Sequence, residues 1–487
     1  MRLNQKLIEI KNETLVSFFM PGHKMGRDLE KYFQLDFGMD ITEIPGADYL
    51  HDPTEVILNT EKALSERYGS KESKILVNGS TVGILSMVLG TLNRGETMLL
   101  NRNSHKSVYH AIEMGGIRPE YVLPELSETY HIVRDLKPEM VELALKENSD
   151  IKACLLTYPT YEGICYKLEE IINICHEHKV IVLVDEAHGA HLHLNKRLPK
   201  SALELGADIV IQSFHKTLPS LTQTACLHFG KNHRLTEAQV QNVKWHLSAL
   251  QTSSPSYLLM GSIDGMLSLL EDVGNAKMKG LLDAIEVFEE NISNLKDIKC
   301  IRFEQMDMTK LILAPSVNID LSGHQLSEIL RESYHIQVEY ATKELCLLMP
   351  SISNAKDDFL KLFDALFDIE KKYCPPKREQ ILNQNSSEVI SEITETDEAH
   401  YPKMMKPQVA VIPAEAKLLE GLYCPIEQCQ GHVSKQYLIP YPPGIPILVP
   451  GEIITKTKCM EIQSVKQNIL NFRDEKIFIV NKNKEVL

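Results

Sequence analysis

Three features of the sequence could do chemistry together. Lys216 sits in the turn SFHKTL, just past the apolar run Asp208–Gln212. A lysine at the end of a buried strand must reach solvent, pair with an anion or be used covalently. Asp185 ends a second aliphatic run, Val180–Val184, where a carboxylate needs a fixed partner. Gly79-Ser80-Thr81 lies between a short apolar run and a helical pattern. There glycine permits close backbone approach, the hydroxyls donate, and the helix N-terminus favours an anion. No Gly-Lys-Ser/Thr follows and the dinucleotide glycine pattern is incomplete, so this is neither a nucleoside-triphosphate loop nor a dinucleotide fingerprint. Each feature alone reads as a surface lysine, a capping aspartate or an N-cap. In this order, all three suit one cofactor. Pyridoxal phosphate needs a lysine for its Schiff base, an anion site for its phosphate and a carboxylate to keep its ring nitrogen protonated.

Other polar clusters have plainer readings. Asp185, Glu186, His188, His191 and His193 are close in sequence but lack the i, i+4 helical pair of a metalloprotease, so no metal is expected. Cys424 and Cys429 are loosely spaced with no second pair and read as ordinary thiols. His176 and His178 fall on an amphipathic helix and are expected to be solvated, and His228 reads as a strand histidine. Tyr158 and Tyr161 are either core or pocket wall, and Lys24 either touches substrate or lies along the surface.

The elements that position these groups are legible. Helices are expected at 55–67, Thr81–Leu92, Lys106–Met114, Pro138–Lys146 and Leu168–His178. Strands are expected at Lys74–Val77, Thr97–Leu100, Glu120–Leu123, Lys152–Leu156, Val180–Val184, Asp208–Gln212 and Ala225–Phe229. The alternation indicates βαβ crossovers and a mainly parallel sheet covered on both faces. In such a sheet ligands bind beyond the strands' carboxyl ends. Those ends deliver Asn78–Thr81, His105, Thr157–Tyr161, Asp185–His188, and Ser213, His215 and Lys216. Packing alone does not require so many reactive groups at one edge.

Residues 1–54 form an N-terminal arm and 55–290 the large domain. Residues 291–375 mix strands (Leu311–Ala314, Ile336–Tyr340, Leu345–Met349) with helices (Leu326–Ser333, Lys356–Lys372), an α+β signature. Residues 376–405 are polar and acidic and read as a linker, and 406–487, with the run YPPGIPILVPGE, form a C-terminal domain. The 487 residues contain 66 acidic and 52 basic side chains, a formal charge of −14. Clustered Lys and Arg are lacking, so nucleic acid is not an expected partner. The first ten residues hold no apolar run of signal-peptide type, and no stretch approaches a membrane span. Ten scattered cysteines suit reduced thiols, so a cytoplasmic location without membrane association is expected.

Eight stretches resemble the Orn/Lys/Arg decarboxylases, pyridoxal phosphate enzymes of fold type I, in their shorter bacterial form. They are MPGHKMG (20–26), NGSTVG (78–83), NRNSHKSVYHA (101–111), YPTYEG (158–163), VDEAHGAH (184–191), SFHKTLPSLTQTA (213–225), TSSPSY (252–257) and YPPGIPILVPGE (441–452). The resemblance implies an aminotransferase-like α/β large domain, a small α+β domain and a C-terminal domain closing over the site. It makes Lys216 the Schiff-base lysine, Asp185 the partner of the ring nitrogen and His105 the imidazole stacked on the ring. His188 would face cofactor or substrate. Gly79, Ser80, Thr81, Ser213 and His215 would hold the phosphate. Thr252 and Ser253 resemble residues supplied to a neighbouring subunit's phosphate, implying a homodimer or larger homo-oligomer with shared sites.

The implied reaction is decarboxylation of a basic amino acid within polyamine metabolism, arginine to agmatine ahead of lysine to cadaverine. Another pyridoxal phosphate reaction, transamination or elimination, and a non-catalytic regulatory role are the alternatives. Product analysis separates the first, and retention of Lys216, Asp185 and His105 argues against the second. Two positions depart from the family pattern. Thr54-Glu55 follows His51-Asp52-Pro53 where a glycine is usual, and Gly431-His432 leads to Gln436 where the family carries Gly-Arg and then an acid. Asp48 and Asp52 are then the candidate carboxylates for the substrate's far end. Less negative charge favours a forked guanidinium over an ammonium.

Overall fold

The computed structural model describes residues 16–18, 22, 24, 31–32, 41–43, 46–373, 405–441, 444–469 and 471–481. The expected polar linker lies outside the described residues apart from Met405, as does most of the N-terminal arm.

The large unit runs α1 (Val56–Tyr68), β1 (Glu72–Leu76), α2 (Gly79–Thr91), β2 (Thr97–Asn101), α3 (Lys106–Gly115) and β3 (Arg118–Val122). It continues through α4 (Pro138–Glu147), β4 (Ile151–Thr157), α5 (Leu168–Glu177), β5 (Ile181–Asp185), β6 (Ile209–Ser213), the one-turn α6 (Phe214–Thr217) and β7 (Ala225–Phe229). The seven strands form one sheet in the order β1-β7-β6-β5-β4-β2-β3. β7 runs antiparallel to β1 and β6, and the other pairings are parallel. Strands buried on both faces carry near-continuous aliphatic side chains, as β2 and β6 do. Small residues let α2 sit directly on this sheet. A Cβ on Gly83 would fall 2.5 Å from Ile211 Cδ1 of β6, and one on Gly90 would fall 2.5 Å from the Val243 Cα of the helix Glu237–Leu250 packed against α2.

Helices α7 (Glu237–Leu250), α8 (Tyr257–Leu269) and α9 (Asn275–Ile292) lead to the small unit, with one wide turn at Leu270–Gly274 between the last two. There β8 (Ile298–Ile301), β9 (Leu311–Pro315), β10 (Tyr340–Ala341) and β11 (Cys346–Leu348) form an antiparallel sheet ordered β8-β9-β11-β10, flanked by α10 (Gly323–Tyr334) and α11 (Lys356–Tyr373). One apolar core runs from Leu64 beneath the large sheet to Leu366 in α11, so the small unit is rooted in the large one. The expected strand Ile336–Tyr340 is split. Ile336–Gln337 pairs in parallel with Val16–Ser17, and only Tyr340–Ala341 joins the small sheet.

The C-terminal unit holds α12 (Pro413–Leu418), β12 (Gly421–Pro425), α13 (Lys456–Ser464) and β13 (Lys476–Val480), with β12 and β13 antiparallel around a core of its own. Val449 leaves that unit and packs into the core on the α2–α3 side of the large sheet. Cys424 and Cys429 are free, buried thiols, and Cys429 Sγ donates to the Cys424 carbonyl at 3.2 Å.

Candidate active site

The carboxyl ends of β1, β2, β4, β5 and β6 converge as the sequence suggests. Asp185, the last residue of β5, is buried, and its Oδ1 accepts the Ala187 N–H at 3.2 Å. Its second carboxylate oxygen has no hydrogen-bond partner among the described residues. Burial raises the Asp185 carboxyl, and the nearby Lys216 opposes that rise. Lys216 stands in α6, and its Nζ lies 3.0 Å from His188 Nε2. Enclosure lowers the Lys216 ammonium, with only partial compensation from Asp185. Burial, and then the Lys216 charge, hold His188 well below the usual imidazole range. A neutral His188 can therefore accept the Lys216 proton at Nε2.

His105 caps the N-terminus of α3, its Nδ1 accepting the Ser107 N–H. Burial, and then Lys216, bring this imidazole down to about 3, so the ring is neutral near pH 7. The positive-φ turn Gly79 opens α2, and its N–H donates to the Gln223 carbonyl at 2.8 Å. That bond ties the start of α2 to the loop that follows Lys216. Two further donors, the Phe214 N–H at 3.1 Å and His215 Nδ1 at 2.9 Å, converge on the Thr224 carbonyl. Ser80 is half-buried and Thr81 exposed at the start of α2. Ser213 Oγ and Thr157 Oγ1 are buried without a hydrogen-bond partner. Thr252 and Ser253 lie on the surface, the Thr252 N–H 3.4 Å from Asn78 Oδ1, just before α2 of the same chain.

Several expectations are corrected. Asp48 is no free carboxylate. Burial would raise it, but the N–H groups of Thr54, Glu55, Tyr49 and Ile57 bring it down to about 2, capping α1. Asp52 is exposed. Gln436 does not face a substrate wall. Its Nε2 donates to the Asn471 carbonyl at 2.7 Å and its Oε1 accepts the Phe478 N–H at 3.0 Å, both within the C-terminal unit. His176 is not solvated, since its Nε2 meets the buried Asp208 at 2.9 Å. The remaining histidines of the VDEAHGAH region diverge. His191 pairs with Asp307 at 3.0 Å, and His193 accepts from Arg67 Nε at 3.2 Å.

The open alternatives resolve. Tyr158 is core, with its hydroxyl on the Lys200 carbonyl. Tyr161 is wall, packing edge-on to His188 at 4.7 Å and donating to Glu339 at 2.6 Å. Lys24 is buried and donates to the Met349 carbonyl at 2.8 Å.

Other site residues are not apparent from the sequence. Arg102 pairs with Glu452 at 3.2 Å and donates to the Pro446 carbonyl at 2.7 Å, while the Lys106 N–H donates to the Gly444 carbonyl at 3.0 Å. These bonds bring Gly444 onto the His105 ring, where a Cβ would lie 3.1 Å from Cδ2 and Nε2. Behind Asp185, the buried Glu186 accepts the Ala202 N–H and Gln212 Nε2, each at 2.6 Å. Arg102 and Glu452 both stand in family-like motifs, so an arginine and a glutamate without local partners in two apolar stretches are the available signal.

Comparison with known proteins bears on the whole chain. Residues 2–353 match the family described as Orn/Lys/Arg decarboxylase, major domain, and residues 394–469 match its C-terminal domain. The arginine decarboxylase of Bacillus subtilis (strain 168) is 31% identical over 456 residues, covering 91% of this chain and 88% of that protein. The crystal structure of the Francisella novicida lysine decarboxylase LdcF covers 98% of this chain and 80% of its own, with a TM-score of 0.73 at 18% identity. An alanine–glyoxylate aminotransferase from Nostoc sp. covers 70% of this chain and 91% of its own, with a TM-score of 0.55 at 13% identity. The fold is the aminotransferase-like α/β fold with an added C-terminal domain.

Proposed function

The chain belongs to the Orn/Lys/Arg decarboxylase family, and on that premise we propose that it removes the α-carboxylate of arginine as carbon dioxide, with pyridoxal phosphate as cofactor. The residues present fit that group. A buried aspartate with one unpartnered oxygen, an orphaned buried Ser213 hydroxyl and a glycine-opened helix N-terminus stand at the same sheet edge as Lys216. When bound, pyridoxal phosphate supplies an electron sink for the pair left on the α-carbon as carbon dioxide departs.

Lys216 Nζ would hold the cofactor covalently until substrate amine displaces it. Asp185 would keep the ring nitrogen protonated, which matters most as charge develops in the transition state. His105 would support one face of the ring without adding charge. Gly79, Ser80, Thr81, Ser213 and His215 would receive the phosphate. His188 Nε2 and Lys216 Nζ share a proton, and either can return one to the α-carbon in place of the lost carboxylate. The single observation that carries this reading is the Lys216–His188 contact of 3.0 Å beside Asp185. Similarity to the arginine decarboxylase of B. subtilis supports arginine ahead of lysine as the substrate.

We place the catalytic residues on 55–290, the small domain at 291–375, and the closing domain at 406–487. No helix among the described residues is long and apolar enough to cross a membrane, and a cytoplasmic location remains our reading. Thr252 and Ser253 would complete a neighbouring subunit's site in a two-fold dimer. Inactive Lys216→Ala and Ser253→Ala chains should then regain activity when mixed, and no recovery after demonstrated subunit exchange opposes sharing. Incubation with arginine, lysine and ornithine separately tests the reaction. Carbon dioxide and agmatine from arginine, exceeding the yield from the other two, support it. An oxo acid as product, or lysine turnover without arginine turnover, refutes it.

A further inference from the structure

Lys310 precedes β9 and is 1% exposed. Its backbone is fixed on both sides, the N–H donating to the Asp307 carbonyl at 3.1 Å and the carbonyl accepting from Arg302 Nη1 at 2.6 Å. Its stem passes over Gly163, where φ is +93° and a Cβ would fall 2.5 Å from Lys310 Cγ. Gly163 closes the turn that begins at Thr160, its N–H donating to the Thr160 carbonyl at 2.9 Å, and the next residue of that turn, Tyr161, packs its ring on His188 beside Lys216. Lys310 therefore packs against the turn that carries this wall of the site.

The carboxylates around it are engaged elsewhere. Asp307 pairs with His191, Glu162 accepts from Thr160 at 3.2 Å and Tyr340 at 3.1 Å, and Glu339 accepts from Tyr161. Among the described residues, Lys310 Nζ has no hydrogen-bond partner. A buried ammonium without a partner is costly, so the position suits a residue that meets an anion arriving with a ligand. A basic amino acid carries one anion, its α-carboxylate. The cofactor's phosphate belongs at the α2 end of the site.

We propose that Lys310 binds the substrate's α-carboxylate, on the side of the site walled by Tyr161 and His188. The inference rests on the amino-acid decarboxylase reading and adds to it the group that fixes the bond to be broken. Burial, only partly offset by Asp307, lowers the Lys310 ammonium, and Lys310 in turn lowers Lys216, so the two amines lie close enough to interact. An ion pair to the carboxylate that is held alike in the bound substrate and in the transition state contributes uniform binding, so its loss shows in KM and not in kcat.

Lys310→Met and Lys310→Arg in the cofactor-loaded enzyme test this. Arginine KM is read from carbon dioxide release. Agmatine, the same side chain without the carboxylate, is read by competition and by its change in the visible spectrum. Lys310→Met should raise arginine KM at least tenfold, the loss a charge-assisted contact carries, and leave kcat and agmatine affinity within about twofold. Lys310→Arg should restore most of the arginine affinity. Equal weakening of both ligands, or unchanged arginine KM, overturns the proposal. Both constants are independent of the folded fraction, so a less stable variant still separates these outcomes. A wild-type enzyme that binds neither ligand overturns the decarboxylase reading itself.

Discussion

Arg102 and Glu452 form a buried ion pair at 3.2 Å between the loop before His105 and the end of the Pro- and Gly-rich C-terminal run. Removing one partner of such a pair leaves an uncompensated buried charge and costs about 3–5 kcal/mol, whereas an apolar replacement of both is far milder. Glu452→Ala should therefore lower the melting temperature sharply and lower activity, while the double change Arg102→Met with Glu452→Leu should cost less than Glu452→Ala alone. An unchanged melting temperature in Glu452→Ala contradicts a docked C-terminal unit.

Gly444 is where that unit meets the His105 ring. Alanine there must adopt φ +90° and place its Cβ 3.1 Å from His105, a strain of about 1–3 kcal/mol. Gly444→Ala should hasten cofactor loss on dialysis and lower turnover. Gly280→Ala is the control, since that glycine lies on an open helix face with nothing within 4 Å, and it should stabilise slightly. Equal cofactor retention by both variants would remove Gly444 from the site.

Glu186 makes stability depend on pH. Burial, against the opposing bonds from Gln212 and Ala202, pushes its carboxyl from 4.5 up to about 8. A folded value above the unfolded one means that protonated Glu186 stabilises the fold. This contribution is fully present below pH 4.5 and is lost as pH rises through about 8. Gln212 Oε1 is buried without a partner, so a turned amide can accept the Glu186 proton. Glu186→Gln should flatten the fall in melting temperature between pH 5 and 8. A slope as steep as wild type's would be inconsistent with this assignment.

Gln436 offers a negative control for substrate choice. Its amide satisfies the Asn471 carbonyl and the Phe478 N–H, so Gln436→Glu should lower stability by about 0.5–1.5 kcal/mol through a lost donor at an exposed bond. The arginine-to-lysine rate ratio should stay within about twofold. A marked gain in lysine turnover would return Gln436 to the substrate wall.

The strands of the large sheet are legible in the sequence because aliphatic runs such as Leu183–Val184 and Ile209–Ile211 end in polar residues, and buried parallel strands need little else. The reversed direction of β7 is not, since nothing in ACLHF encodes it. β8 is hidden because IKCI is short and half-buried. Lys216, Asp185 and His105 can be read because each ends or follows such a run. Lys310 follows the same logic just before LILAP, but its significance depends on Gly163 and Tyr161, which only folding brings near. Asp48 and Gln436 mislead for the converse reason. Backbone groups consume them, those of the following turn and helix start for Asp48 and the distant Asn471 and Phe478 for Gln436.

Everything proposed for the site depends on Lys216 carrying the cofactor. Borohydride reduction of the yellow, cofactor-loaded protein, followed by peptide mapping, tests this most directly. The expected result is a pyridoxyl label on Lys216, in the peptide containing Ser213 to Thr217, and loss of both label and turnover in a folded Lys216→Ala protein. A label on any other lysine, Lys310 included, would contradict it.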